Sequence, residues 1–334
     1  MPDKTLILKT SEIERLVDMR EVLRIVEEAF RLHGRGKVRM PPKVYIHLEK
    51  YRGDFRAMPA YIEGLEVCGI KWVNVHPENR KRNLPTVIAL IILSDPRTGQ
   101  PLAVMDGTYI TNMRTGAAGG VAAKYLANKN SSSVGMVGCG TQASFQLLAL
   151  NAVFALKYVL LYDTDRKKAA GFIDKMASRL NNIEMEAVRT AEECVSGRDI
   201  VVTTTPSRKP IVRSEWIGPG THINAIGADA QGKEELDPAI LKRARIFVDD
   251  MVQACHSGEI NVPLSKRLMR KTDIDGTLGG IICCKTKGRT SARDVTVFDS
   301  TGLAIQDIAV ADRAYKISKN LRRRNRRLEI DFRS

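Results

Sequence analysis

The sequence predicts an α/β protein in which a doubly wound parallel sheet follows a separate β-rich section. Three observations predict this fold. Strands and helices alternate from residue 133 onwards, and a glycine-rich turn follows the first of these strands. The length of 334 residues, with 43% hydrophobic content, suits two domains or one elaborated α/β unit.

The first section, up to about residue 125, opens with the strand "TLILK" and two helices. Ser11 with Glu14 and Asp18 with Glu21 have the spacing of capping boxes, and the second helix ends at Gly34. Short β-forming runs follow, separated by turn residues: "KVYIHLE", "FRAMPAYIE", "GIKWVNVH", "TVIALIILSD" and "PLAVMD". These runs predict an antiparallel sheet or half-barrel.

The section from residue 133 has a different pattern. A helix rich in small residues, "NMRTGAAGGVAAKYLA", leads into it. The strands that we predict there are "SVGMVG", "YVLLYD", "MEAV", "DIVVTTT", "THINAIGA", "RIFVDD" and "VTVFDS". Helical segments between these strands favour right-handed βαβ crossovers and a parallel sheet covered on both faces.

The glycine-rich turn lies in "SVGMVGCGTQAS", residues 133–144. Gly138 permits the turn, Gly140 lets the backbone approach a pyrophosphate, and Ala143 lets the following helix pack closely on the strand. Asp163 closes the next strand, near the position where a carboxylate holds a ribose hydroxyl. We therefore predict dinucleotide binding, with NAD favoured over NADP because Asp163 would repel a 2′-phosphate.

Charged residues inside apolar stretches are the candidates for substrate binding. Lys43, Arg56, Lys71 and Arg114 each lie in such a stretch, where an unpaired charge is costly. The alternative for any one of them is an ion pair or a snorkelling side chain. Asp229 follows a buried strand into a glycine-containing loop, at the sheet edge where doubly wound folds bind ligands. Its alternative is an Asx-turn or a helix cap.

Composition argues against several other classes of protein. The net charge is +15, and eight basic residues lie between Arg313 and Arg327 while the rest of the excess is spread thinly along the chain. The sequence has no zinc-finger spacings, and its 5% aromatic residues leave little for stacking on bases. We therefore predict no dedicated nucleic-acid function. The run "VIALIIL" is too short to span a bilayer, and no signal-peptide pattern is present. Six cysteines without a C-x-x-C pair predict reduced thiols and no metal site, so we expect a cytoplasmic protein.

Motifs along essentially the whole chain resemble the ornithine cyclodeaminase and mu-crystallin family. They include "MPPKVY", "RAMPA", "GIKWVN", "GCGTQA", "GTHINAIGAD", "GEINV" and "FDSTGLAIQD". The resemblance implies a Rossmann NAD(P)-binding domain over residues 126–302 and a second, α+β domain for substrate binding and dimerisation. The second domain would combine residues 1–125 and 303–334, and its sheet would pair across the interface of a homodimer.

The resemblance also implies roles for single residues. Lys71 matches the family's catalytic lysine and Asp229 its catalytic carboxylate, whereas Lys43, Arg56 and Arg114 match positions around the substrate carboxylate. The positions that match the cofactor-binding segments are Gly138, Gly140, Thr141, Gln142, Ala143, Asp163, Thr203, Thr204, Thr205, Pro206, Ala228, Lys233 and Ser300.

These roles imply NAD-dependent, reversible oxidative deamination of a small L-amino acid, with L-alanine giving pyruvate and ammonia. Arg56 stands where bacterial ornithine cyclodeaminases carry a glutamate that receives the distal ammonium of the substrate. An arginine there would repel ornithine, so conversion of ornithine to proline is the second alternative, together with ketimine reduction. A non-enzymatic binding protein similar to mu-crystallin is the third.

Overall fold

The computed structural model describes residues 4–321 and 328–331. The chain divides into two compact units: unit 1 comprises Met1–Arg114 and Leu303–Ser334, and unit 2 comprises Thr115–Gly302. The division falls inside a helix, after Arg114, rather than after residue 125 as the sequence suggested. The second half of that helix packs within unit 2, because a Cβ at Gly116 would lie 2.4 Å from the carbonyl oxygen of Phe145.

Unit 1 contains a sheet and four helices among the described residues, counting the helix that the division cuts. Its strands are β1 (Thr5–Leu8), β2 (Val38–Arg39), β3 (Val44–Leu48), β4 (Gly53–Ile62), β5 (Val67–Val75), β6 (Val87–Ser94), β7 (Pro101–Asp106) and β18 (Glu329–Ile330). Its helices are α1 (Thr10–Leu16), α2 (Met19–Gly34), α3 (Thr108–Leu126) and α11 (Ala304–Leu321).

The sheet of unit 1 has the strand order β18-β1-β7-β6-β5-β4-β2, with β3 also paired to β4. Its neighbouring strands are antiparallel, apart from the parallel pair of β1 with β7. Met58, Lys71 and Ile91 lie side by side on the buried face, against which α11 packs. Gly69 allows this approach, because a Cβ there would lie 2.8 Å from the side chain of Ile308.

The opposite face of the same sheet is exposed and apolar. Residues of β6 alternate between the two faces, so Ile91 is buried whereas Leu90 is 52% exposed. Leu90 lies opposite Trp72, which lies opposite Ala57, which lies opposite Val44. Exposed apolar side chains on β3, β5 and β6 are Val44, Ile46, Trp72, Ile88, Leu90 and Ile92.

Two helix starts test the capping predictions. The Asp18 carboxylate accepts a hydrogen bond from the Glu21 backbone N–H (2.8 Å), so α2 begins as predicted, and it ends at Gly34. The prediction for Ser11 with Glu14 is wrong. The Glu12 carboxylate accepts the Lys9 N–H (3.0 Å), so the N-cap is Lys9 and α1 starts two residues earlier than predicted, directly after β1.

Unit 2 is built from alternating strands and helices. Its strands are β8 (Ser133–Val137), β9 (Tyr158–Tyr162), β10 (Glu184–Ala187), β11 (Ile200–Thr203), β12 (Arg208–Val212), β13 (His222–Ala225), β14 (Glu234–Leu236), β15 (Arg245–Val248), β16 (Gly276–Thr277) and β17 (Thr296–Asp299). Its further helices are α4 (Thr141–Val153), α5 (Arg166–Ala177), α6 (Ala191–Val195), α7 (Pro238–Arg243), α8 (Met251–Ser257), α9 (Asn261–Ser265) and α10 (Leu278–Ile282).

The main sheet of unit 2 is parallel throughout, with the order β10-β9-β8-β11-β13-β17-β15-β16, and β12 pairs separately with β14. Both faces are covered, since Val201 lies in one apolar cluster and its neighbours Ile200 and Val202 in another. The predicted doubly wound sheet is confirmed. Its strand order reverses at β8 and β11, and ligands of such sheets bind at the carboxyl ends of these strands.

Three further observations concern the whole chain. Within the described residues, no helix has the length and apolar character needed to cross a membrane. All six cysteines are thiols, and the described residues contain no His, Cys, Asp and Glu grouping suited to a metal ion. Five of the eight basic residues between Arg313 and Arg327 are at positions 322–327, which lie outside the described residues.

Candidate active site

The centre of the candidate site in unit 1 is Lys71. It lies in the middle of β5, and strand alternation turns its side chain towards the face that α11 covers. The side chain is 1% exposed, so its amino group is shielded from solvent. A buried lysine needs a partner of opposite charge or a lowered pKa, and Lys71 has both.

The partner is Asp307 on α11, which the sequence analysis did not single out. Its carboxylate is fully buried and lies 2.7 Å from Lys71 Nζ through Oδ2 and 2.9 Å from Arg114 Nε through Oδ1. Arg114 also donates to Gln306 Oε1 at 3.1 Å. One carboxylate thus serves two cations, and both cations are predicted site residues.

This arrangement lowers the pKa of Lys71 to about 7. Burial is the largest cause, followed by repulsion from Arg114, while Asp307 acts in the opposite direction and raises the pKa. Lys43, just before β3, adds a further lowering, so it lies near enough to act on the amine. A lysine with a pKa near neutrality can both accept and release a proton at physiological pH.

Arg56, the fourth predicted cation, already has a carboxylate partner. It lies on β4, diagonally across from Lys71 in the β4–β5 register. Its guanidinium donates to both oxygens of Asp54, at 2.6 Å and 3.1 Å, and stacks over the Tyr45 ring with 5.2 Å to the centroid. Arg56 is therefore held in place by Asp54 and Tyr45, and its role at the substrate stays a prediction.

The glycine turn of unit 2 has two glycines that serve different purposes. Gly138 has φ of +95°, and a Cβ there would lie 2.9 Å from Thr205, so both backbone and packing require glycine. Thr204 fixes the turn by donating to the Gly138 carbonyl oxygen at 2.9 Å. Gly140 has φ of −81°, and a Cβ there would meet no atom within 4 Å. No contact among the described residues requires glycine at 140.

Gly140 is also the N-cap of α4, which begins at Thr141 without a side-chain cap. A helix N-terminus attracts phosphate, because its first backbone N–H groups have no partner within the helix itself. Ala143, one turn in, is fully buried in the core cluster below and allows α4 to lie close to β8. An approaching pyrophosphate explains both the bare Gly140 and the uncapped helix, so these residues fit a dinucleotide.

Asp163 follows β9 and lies beside the glycine turn. Its Oδ2 accepts the Cys139 N–H at 3.0 Å, and its Oδ1 accepts the Asp165 N–H at 2.9 Å. Burial, together with the negative charge of Asp163, raises the pKa of the Cys139 thiol to about 12, so this cysteine is unreactive. The structure thus brings together the predicted phosphate and ribose positions.

The remaining predicted residues of unit 2 lie at the carboxyl ends of neighbouring strands. Asp229, after β13, forms an ion pair with Lys233 (2.5 Å), so these two predicted residues contact each other. The Ser300 hydroxyl, after β17, is buried and has no hydrogen-bond partner in the part of the chain that the structure describes. The others at this edge are Thr203, Thr204, Thr205, Pro206 and Ala228. Gln142 lies in the first turn of α4.

Residues that the sequence analysis missed are partners of the predicted ones. Asp307 forms ion pairs with Lys71 and Arg114, and Asp54 forms one with Arg56. Glu235 accepts hydrogen bonds from backbone at the strand ends of unit 2. Asp307 interrupts the apolar run of α11, which is a signal of a buried charge that could have been used. Lys71 and Asp229 belong to different units, so their joint action stays a prediction.

Comparisons with known proteins identify a family and several similar chains. The model of the ornithine cyclodeaminase/mu-crystallin family matches residues 3–320. A protein named alanine dehydrogenase from Archaeoglobus fulgidus is 54% identical over 320 residues, which cover 95% of this chain and 97% of that protein.

Two solved structures have nearly the same fold. An archaeal alanine dehydrogenase dimer with bound NAD superposes with a TM-score of 0.93 at 53% identity, over 99% of this chain and 100% of that one. Thermococcus litoralis Δ1-pyrroline-2-carboxylate reductase, in complex with NADH and L-proline, has a TM-score of 0.92 at 40% identity, over 95% of this chain and 98% of that one.

Proposed function

The chain belongs to the ornithine cyclodeaminase/mu-crystallin family, and from this we propose that it catalyses NAD-dependent oxidative deamination of a small L-amino acid. The preferred substrate is L-alanine, which gives pyruvate and ammonia reversibly. The observation that carries the proposal is the buried cluster in which Asp307 is shared by Lys71 and Arg114. The 54% identity to an alanine dehydrogenase supports the choice of substrate.

The proposed partners of the substrate carboxylate are Arg114 and Lys43. Arg114 contacts the same Asp307 carboxylate as Lys71, and Lys43 lies near enough to Lys71 to lower its pKa. Cations at these positions would attract a carboxylate and repel the distal ammonium of ornithine.

Proton transfer falls to Lys71 and Asp229 in this proposal. NAD⁺, when bound, would supply the acceptor for the hydride of the amino-acid α-carbon. The substrate ammonium must lose a proton before the hydride leaves, and a water must be activated to attack the resulting imine carbon and release ammonia. Lys71, with a pKa of about 7, and Asp229, held by Lys233, form the acid–base pair for these steps.

The cofactor would lie on the glycine turn, with Gly138, Gly140 and the N-terminus of α4 at the pyrophosphate and Asp163 at the ribose. We favour NAD over NADP because the Asp163 carboxylate would repel a 2′-phosphate. The exposed apolar face of β3, β5 and β6 is the proposed homodimer interface, since a patch of this kind marks an association surface. Six thiols favour a reducing compartment, and we place the protein in the cytoplasm.

The experiment is a substrate panel with the purified protein, followed by NADH absorbance. We expect NADH formation with NAD⁺ and L-alanine, and NADH consumption with pyruvate and ammonia. Conversion of ornithine to proline without net NADH would instead indicate a cyclodeaminase. Cofactor binding with no turnover of any substrate would favour a binding protein similar to mu-crystallin.

Reduction of a cyclic imine is the second candidate, and the 40% identity to the pyrroline-2-carboxylate reductase favours it. Both reactions pass a hydride between a nicotinamide and a carbon bonded to nitrogen, so one site can serve both. The comparison that separates them is kcat/KM for pyruvate with ammonia against kcat/KM for Δ1-pyrroline-2-carboxylate. We expect the first to be higher, and a higher second value would make imine reduction the main activity.

A further inference from the structure

A chain of three buried carboxylates links the strand ends that carry the proposed cofactor and catalytic residues. Asp299 ends β17, Glu259 follows α8, and Glu235 lies in β14, and all three side chains are fully buried. We call these three residues the carboxylate ladder. They have no role in the function proposed above, and the cost of burying them calls for an explanation.

Each carboxylate of the ladder holds the backbone of the next. Asp299 accepts the Glu259 N–H at 2.9 Å and the Ile260 N–H at 3.2 Å. Glu259 accepts the Glu235 N–H at 2.8 Å and the Leu236 N–H at 2.7 Å. Burial and then the neighbouring charge of Glu235 raise the pKa of Glu259 well above its usual value, which reflects the cost of placing carboxylates close together away from water.

Glu235, at the end of the ladder, holds two loops with its two oxygens. Oε1 accepts the Thr205 N–H at 2.6 Å and the Thr205 hydroxyl at 2.8 Å, after β11. Oε2 accepts the Gly227 N–H at 2.8 Å, after β13, and the Thr203 hydroxyl at 2.7 Å. The loops are in close contact, because a Cβ at Gly227 would lie 2.2 Å from the Thr205 carbonyl oxygen.

Both loops carry residues of the proposed site. Thr204 fixes the Gly138 turn, and Asp229 is two residues beyond Gly227. We propose that Glu235 is a positioning residue that holds the Thr203–Pro206 loop and the Gly227–Asp229 loop in one arrangement, so that Asp229 is presented to the substrate. This inference rests on the proposed function and adds a residue to it.

The hydrogen-bond pattern makes a specific demand on the side chain at 235. Each of its two oxygens accepts one backbone N–H, which can only donate. A glutamine has one oxygen and one NH₂ group, so one of the two N–H groups would face another donor. The Glu235→Gln substitution therefore releases one loop although it preserves the shape of the side chain.

Asp199 provides a matched control. It lies directly before β11, at the amino ends of the strands of the same sheet. It also holds backbone, accepting the N–H groups of Ser132 and Ser133, each at 2.9 Å, but it does so with Oδ2 alone. An asparagine can keep both contacts with its single oxygen. Asp199→Asn is thus the same chemical change, without a conflict of donors and away from the proposed site.

The test compares hydrogen–deuterium exchange and kinetics of both variants with those of the native protein. In Glu235→Gln we expect the backbone amides of segment 203–206, of segment 227–229 or of both to exchange about tenfold faster. We also expect NADH to protect these segments from exchange less than it does in the native protein. We expect kcat for L-alanine to fall about 10- to 100-fold. KM should change less than about threefold, because the proposed partners of the substrate carboxylate are Lys43 and Arg114 of unit 1. Asp199→Asn should match the native protein in all of these.

Native exchange and kcat in Glu235→Gln would overturn the proposal. So would faster exchange throughout unit 2, which indicates only a loss of stability. If the native protein oxidises no amino acid, the proposed function fails, and the exchange of the two loops with and without NADH still decides whether Glu235 positions them.

Discussion

At the scale of single residues, Lys71 shows how a charged group is kept inside a sheet without being fixed in its charged state. Asp307 offers it a partner, but Arg114 competes for the same carboxylate, and burial opposes the charge. The result is a pKa of about 7 where an exposed lysine titrates above 10. The environment therefore prepares this amine for proton transfer.

Replacing Asp307 with asparagine tests this balance. The substitution removes the group that raises the pKa of Lys71, so that pKa falls further, and the limb of the kcat/KM profile near pH 7 should move to lower pH. The buried Arg114 guanidinium also loses its carboxylate partner, which should lower the free energy of unfolding by about 3 kcal/mol. A pH–rate profile and urea unfolding measure the two effects.

Asp312 on the same helix is the control. Its partner Lys316 is half-exposed, so Asp312→Asn should cost little stability and leave the pH–rate profile in place. An unchanged profile in Asp307→Asn, or an equal shift in Asp312→Asn, would remove Asp307 from the account.

At the scale of elements, we expect the two glycines of the β8–α4 turn to serve different purposes, with Gly138 needed for stability and Gly140 for cofactor binding. Gly138→Ala places a side chain at φ of +95° and against Thr205, and we expect it to destabilise the protein by about 2 kcal/mol. In Gly140→Ala the backbone has an ordinary φ and the new methyl group meets no atom of residues 4–321 or 328–331 within 4 Å, so the free energy of unfolding should change by less than about 1 kcal/mol.

The same two variants should differ in cofactor affinity. The methyl group of Gly140→Ala would occupy the space through which a pyrophosphate approaches, so we expect the Kd for NADH to rise roughly tenfold or more in a stable protein. Fluorescence titration measures the affinity and thermal unfolding the stability. Native affinity in Gly140→Ala would show that no phosphate contacts this turn.

What the sequence predicted, and what it missed, follows from the range of the interactions. The glycine turn, Asp163 and the parallel sheet were predictable because each depends on neighbours within a strand or one βαβ unit. Asp307 and Glu235 were missed because their partners are remote, with Arg114 193 positions before Asp307 and Thr203 32 positions before Glu235. The cap of α1 was misplaced because Glu12 offered a competing carboxylate two residues before Glu14.

At the scale of the whole molecule, the exposed face of the unit 1 sheet predicts association. A lysine in place of Leu90, which lies beside Trp72 in the register, would put a charge in the middle of the proposed interface. We expect Leu90→Lys to sediment as a 37.1 kDa monomer at concentrations where the native protein has twice that mass.

A substitution of another exposed hydrophobic side chain, Tyr158→Lys on β9, should leave the mass of the assembly unchanged. If Leu90→Lys keeps the native mass, the apolar face serves another purpose. Dissociation by both variants would point to a general loss of solubility or folding rather than to this interface.

The central claim is that the protein removes a hydride from the α-carbon of a small amino acid. The most direct test uses L-alanine deuterated at the α-carbon, together with NAD⁺, and determines the label in the NADH by mass spectrometry. The account predicts one deuterium in each NADH and pyruvate as the other product. NADH without deuterium, or no NADH formed at all, would contradict it.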